Sequence, residues 1–186
     1  MSNAEIRIGG FGGQGVIMSA SIIGKAASIF DQKHATMIQS FGPEARGSSC
    51  SASVVISDQE IAYPYVKHPN VLVVMSQESF TKFAPTLVPG GVLIVEEDLV
   101  QLDRVPKNVT LFTIPATRFA EELGKRLVTN IVMTGFFTAV SQLISHEAMR
   151  SAVLDSIPKG TEEMNVKAFE KGYAYGMEVM KEREGK

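Results

Sequence analysis

Apolar positions in this chain follow two alternating rhythms. Short runs read as strands over Ile6–Gly9, His34–Gln39, Ser49–Ser57, Val71–Met75, Val92–Val95 and Thr110–Ile114. After the first of them, Val16, Ile17, Ala20, Ile23, Ala27 and Phe30 recur at helical spacing and predict a helix over roughly Gln14–Phe30. Further helices are predicted over Gln77–Leu87, Thr117–Leu127, Thr129–Ile144, His146–Ser156 and about Glu162–Arg183, with Thr117 as an N-cap. Within Ser49–Ser57, Cys50, Ala52, Val54 and Ile56 alternate with Ser49, Ser51, Ser53 and Val55, the pattern of a strand with one buried face. Val71–Met75 is apolar throughout, as a central strand covered on both faces requires. Asp58-Gln59 reads as a turn from which Ile61–Tyr63 pairs back on Ser49–Ser57 as a hairpin. Strands alternating with helices predict an α/β fold: a three-layer α/β/α arrangement with a mostly parallel, mixed sheet and a Rossmann-like first βα unit, residues 1–186 forming a single domain.

Composition narrows the function classes. The chain has 186 residues, 45% of them hydrophobic and 20% charged, with a net charge of −2. That balance offers no basic field for nucleic acid and no polybasic segment for a membrane surface. No apolar run approaches the length of a membrane span, and no signal-peptide pattern opens the chain. The single cysteine, Cys50, allows neither an internal disulfide nor a four-thiolate cluster, and the expected compartment is the cytoplasm. His34, His68 and His146 are far apart in sequence, so no metal site is expected.

Candidate chemistry concentrates in Gly9-Gly10-Phe11-Gly12-Gly13-Gln14-Gly15, between the first strand and the first helix. A strand, a glycine turn and a helix start present free backbone N–H groups to an anion. Gly10-x-Gly12-x-x-Gly15 has the dinucleotide-binding spacing, but the second strand ends Ile38-Gln39-Ser40 without the carboxylate that would hold a ribose. A Walker-type Gly-Lys-Ser/Thr is also absent. The loop Ser40-Phe41-Gly42-Pro43-Glu44-Ala45-Arg46-Gly47 follows the second strand, and strand direction should bring it to the edge that carries the glycine turn. Arg46 offers a planar fork for a phosphate or carboxylate, and Glu44 could orient it. Tyr63 to His68, with Tyr63-Pro64-Tyr65 at its start, is expected to contact another chain.

Gly-Gly-Phe-Gly-Gly-Gln-Gly-Val at 9–16, Gln-Ser-Phe-Gly-Pro-Glu-Ala-Arg-Gly at 39–47, Thr-Asn-Ile-Val-Met-Thr-Gly at 129–135 and Asn165–Gly172 together resemble the gamma subunit of 2-oxoacid:ferredoxin oxidoreductases. The likeness runs from Ile6 to about Met180, and the Ala45-Arg46 spelling is most similar to the 2-oxoglutarate branch. The resemblance implies a complex that oxidatively decarboxylates a 2-oxoacid, forms an acyl-CoA and reduces ferredoxin. It implies that thiamine diphosphate, magnesium and iron–sulfur clusters sit on alpha and beta partners, with delta where that subunit occurs. It also implies coenzyme A at the edge of this chain, at Gly12, Gly13, Gln14 and Gly15 with Ser40, Glu44 and Arg46 close by. Asn130 is expected to cap its helix or to contact the same edge, capping being favoured. No catalytic residue is expected on the chain itself, which has no Gly-Asp-Gly segment for magnesium and diphosphate. Three other readings are a subunit of an indolepyruvate-type enzyme, a free-standing Rossmann-type nucleotide-binding protein, and a purely structural subunit.

Overall fold

The computed structural model describes residues 3–42 and 49–185. Six strands form one sheet: β1 (Ala4–Phe11), β2 (His34–Phe41), β3 (Ser49–Ser57), β4 (Val71–Val74), β5 (Val92–Glu96) and β6 (Thr110–Ile114). Their order is β2-β3-β1-β4-β5-β6. β1, β4, β5 and β6 are parallel, whereas β3 runs antiparallel to both neighbours, β1 and β2. The sheet is therefore mixed, but the predicted hairpin is corrected. β3 pairs with the strand before it, and Ile61–Tyr63 forms no strand. Alternation marks the buried face of β3 but carries no information about which strand lies beside it.

The helices are α1 (Val16–Lys25), α2 (Gln77–Phe83), α3 (Ala116–Glu122), α4 (Thr129–Ser141), α5 (His146–Ser156) and α6 (Glu162–Glu184). The first expected helix divides: α1 gives way to a π-type turn over Ala26–Phe30, where Asp31 N–H bonds back to Ala26 C=O. The expected Thr117–Leu127 helix also divides. It starts one residue earlier and ends at Glu122. Gly124 then takes φ +86°, and Arg126–Val128 forms a separate 3-10 turn. Thr117 does not cap; its backbone N–H donates to Glu96 Oε1 at 2.9 Å. α4 stops at Ser141 because Gln142 is left-handed, φ 53°.

The two faces of the sheet are covered unequally. Ile6, Ile8, Ala52, Val54 and Val73 face a core completed by α1, α3, α4, α5 and Phe169 of α6. Leu72, Val74, Leu93 and Val95 face a smaller core with Phe80 and Phe83 of α2. α6 packs on α4 backbone to backbone. A Cβ at Gly135 would overlap Phe169 C=O, and one at Gly172 would overlap Val132 C=O, so both positions require glycine. No helix among the described residues is long and apolar enough to cross a membrane.

Candidate functional site

At the carboxyl edge of β1 the chain turns sharply through Phe11-Gly12-Gly13-Gln14. Gln14 N–H closes the turn on Phe11 C=O at 3.1 Å, and Gly13 at its third position takes φ +95°, as a type II turn requires. The Gln14 side chain fixes the turn from within. Its Oε1 accepts from Phe11 N–H at 2.6 Å, and its Nε2 donates to Met75 C=O at 2.8 Å. Gly10 makes room for that amide, since a Cβ there would lie 2.6 Å from Gln14 Oε1. Gly15 then enters α1 at φ 73° with no side-chain cap. The first helical bond runs from Ser19 N–H to Gly15 C=O, so the preceding amides of α1 have no acceptor within their helix.

The N-terminus of α4 arrives at the same corner. Asn130 does not cap that helix, which corrects the expectation that favoured capping. Its side chain packs instead on Gly15: a Cβ on Gly15 would lie 2.6 Å from Asn130 Cγ. Asn130 is buried, and its amide nitrogen has no partner among the described residues. Its backbone carbonyl accepts from Thr134 Oγ1 at 2.8 Å and Ser19 Oγ at 3.5 Å, which ties α4 to α1. Two helix N-termini, each carrying a fraction of positive charge, thus converge beside the glycine turn.

A cavity of about 290 Å³ opens there, lined by Gly13, Gln14, Met75, Thr117, Arg126 and Thr129, among others. Arg126 opens the 3-10 turn, and its carbonyl accepts from Thr129 Oγ1 at 2.7 Å. Its guanidinium is largely exposed and only 4.0 Å from Glu121, a weak pairing that leaves it available to an anion. Leu127, also lining the cavity, is 85% exposed. Behind Thr117 lies Glu96, fully buried at the end of β5. Burial holds its carboxyl above the usual carboxylate range, opposed by the Thr117 hydrogen bonds, and Oε2 has no partner among the described residues.

The predicted residues separate on this structure. Gly12, Gly13, Gln14, Gly15 and Asn130 meet at one corner. Ser40 lines a different depression, on the outer face of β1–β3–β2. Glu44 and Arg46 lie outside the described residues, although the strand that leads to them ends at the expected edge: Phe41 is opposite Cys50, which is opposite Gly10. Arg126 and Glu96 were missed. The predicted helix runs across Gly124-Lys125, where the glycine, a residue that commonly ends helices at positive φ, is the available signal. The dinucleotide pattern points to a carboxylate at the end of the second strand, whereas the buried one closes the fifth. Among the described residues, no three His, Cys, Asp or Glu side chains converge as metal ligands.

Fold and corner define a mixed-sheet α/β protein with a glycine turn and two helix N-termini at one edge of the sheet. Residues 5–175 match the family described as pyruvate ferredoxin/flavodoxin oxidoreductase. The chain is 49% identical over 177 residues to 2-oxoglutarate synthase subunit KorC of Methanocaldococcus jannaschii, covering 94% of this chain and 95% of that one. The gamma subunit of a keto/oxoacid ferredoxin oxidoreductase from Geobacter sulfurreducens superposes with a TM-score of 0.83 at 37% identity, over 94% of this chain and 99% of that one. A 2-oxoglutarate:ferredoxin oxidoreductase from Magnetococcus marinus, whose structure holds 2-oxoglutarate, coenzyme A and succinyl-CoA, shares the fold with a TM-score of 0.86 at 21% identity. There the match covers 95% of this chain and 31% of the larger one. The chain belongs to the pyruvate ferredoxin/flavodoxin oxidoreductase family, as a gamma-type subunit of a 2-oxoacid:ferredoxin oxidoreductase.

Proposed function

We propose that the complex acts on 2-oxoglutarate, in the cytoplasm, and that this subunit contributes the glycine corner to the coenzyme A site. Alpha and beta partners, with delta where it occurs, carry thiamine diphosphate, magnesium and the iron–sulfur clusters that pass electrons to ferredoxin. The residues of this chain do not fit those groups: it has one cysteine and no Gly-Asp-Gly segment. No step of the decarboxylation is therefore assigned to it. The observation that carries the reading is the cavity bounded by Gly13 and Gln14, with Arg126 beside it and the helix N-termini behind. Coenzyme A presents phosphates, which suit that positive edge, and an extended arm, which suits its Met75, Leu99 and Leu127 lining. About 290 Å³ encloses only a segment of so long a molecule, so partner surfaces complete the site.

The test is Arg126→Ala in the reconstituted complex. The apparent KM for coenzyme A should rise about tenfold, the loss of one charge-assisted contact, with kcat and assembly little changed. Arg46→Ala should give the same signature if the loop after β2 joins the site. Unchanged coenzyme A kinetics in both variants would favour a purely structural subunit. A substrate panel of 2-oxoglutarate, pyruvate and indolepyruvate on the same complex tests the 2-oxoacid, and preference for indolepyruvate would overturn that part.

A further inference from the structure

On the outer face of β1–β3–β2, α2 covers the β1 side, with Ser79 and Phe83 against Gly9, and a second cavity of about 290 Å³ opens between α2 and the strands. Its polar lining is Arg7, Ser40, Ser51, Ser53, Tyr65 and Lys82. Register explains the grouping: Arg7 lies opposite Ser53, which lies opposite Ile38, and Gly9 opposite Ser51, which lies opposite Ser40. Arg7 is half-buried. Its Nε donates to Ser53 Oγ at 3.3 Å, its Nη2 donates to Val66 C=O, and its guanidinium lies 5.0 Å from the Phe83 ring centre. Lys82 Nζ lies 5.2 Å from the same ring. Among the described residues neither cation forms an ion pair; the nearest acid acting on Arg7 is Glu5, two residues along the strand. Arg7 uses two of its five N–H donors, and a partly desolvated guanidinium without a carboxylate is costly. Beside the cleft, Tyr63 and Tyr65 are each 58% exposed, with ring centres 5.4 Å apart.

We propose that this cleft is the seat of an acidic segment of a partner subunit, whose carboxylate inserts between Arg7 and Lys82 while its backbone meets Ser51 and Ser53 and its apolar flank meets Tyr63 and Tyr65. Two cations lining one cleft, three serine hydroxyls and an exposed tyrosine pair match a carboxylate-bearing protein surface, and tyrosine and arginine are the residues that anchor such contacts. The inference rests on the chain being a subunit, and is independent of where coenzyme A binds.

The experiment is co-expression with the partner subunits and recovery of the complex at increasing salt. Lys82→Glu should cut recovery about tenfold or more and Tyr65→Ser several-fold, with the Tm of the isolated variants unchanged. Arg7→Lys should give an intermediate loss, and Lys159→Glu, on the turn between α5 and α6, none. Equal recovery for Lys82→Glu and Tyr65→Ser overturns the proposal. Three other results also overturn it: a dimer of the isolated chain that Lys82→Glu dissolves, inorganic phosphate binding abolished by Lys82→Glu without loss of assembly, and Glu44→Gln matching Lys82→Glu in Tm with assembly intact. A failure here leaves assembly unaltered, whereas a failure of the coenzyme A reading leaves KM unaltered, so the two are separable.

Discussion

The side-chain amide of Asn130 lies on the Cα of Gly15, close enough that a methyl group on the glycine would come within 2.6 Å of the amide carbon. The same glycine holds φ 73°, so it is constrained twice. Gly15→Ala should cost about 1–3 kcal/mol from the backbone alone, with the clash added. Asn130→Ala in that background should restore the clash component and leave the backbone component. Urea unfolding of the two single variants and the double variant checks it; strict additivity would mean that the two side chains do not meet.

Gln14→Ala removes both bonds that the amide makes and leaves Phe11 N–H and Met75 C=O without their partner. Stability should fall by about 1–2 kcal/mol. In the assembled enzyme the apparent KM for coenzyme A should rise more than kcat falls, because the turn loses its position and no reacting group is removed. Steady-state kinetics beside thermal melts of the isolated chain separate the two effects.

Glu96 predicts a pH dependence. Its folded-state pKa is raised by burial, so folding favours the protonated carboxyl. That contribution is fully present below the ordinary carboxylate pKa and is lost as pH rises from there through the raised folded value. Glu96→Gln keeps an oxygen for Thr117 N–H and cannot ionise. Its Tm should therefore decline less than that of the parent as pH increases, and should exceed it at alkaline pH. Parallel profiles would place the carboxyl in an ordinary environment.

Gly172→Ala should be severe. The new methyl group would meet Val132 C=O in α4, and neither backbone can yield without moving a helix; a loss of about 3 kcal/mol or more is expected. Gly24→Ala, in α1 with open space at its Cβ, should instead gain about 0.5–1 kcal/mol. Denaturant midpoints of the pair test whether the α4–α6 contact is as close as described.

Much of the frame was legible because burial writes itself into spacing. Ser49–Ser57 and His146–Ser156 match β3 and α5 at both ends, since each is bounded by residues that change role abruptly. Strand order was less legible. The insertion of β3 between β1 and β2 depends on pairing across the chain, which periodicity does not encode. At the site, Gly13 and Gly15 were found because positive φ has a residue signature, and both show it. For Asn130 the favoured capping role fails, and the alternative, contact with the glycine edge, holds. A polar residue at a helix start suggests a cap, whereas its role came from α1, more than a hundred residues earlier. Ser40 was placed with the glycines because its strand ends at their edge, but its side of the pleat turns it toward Arg7.

The double tether that Gln14 makes to Phe11 and Met75 has a thermodynamic corollary. The corner is already knotted before any guest arrives, so the entropy of arranging it is lost once, when the polypeptide folds, and not again at each turnover. On the proposed coenzyme A reading, a visitor that comes and goes every cycle would meet a preset cradle, and its residence time would depend on the contacts it makes there rather than on the work of shaping the host.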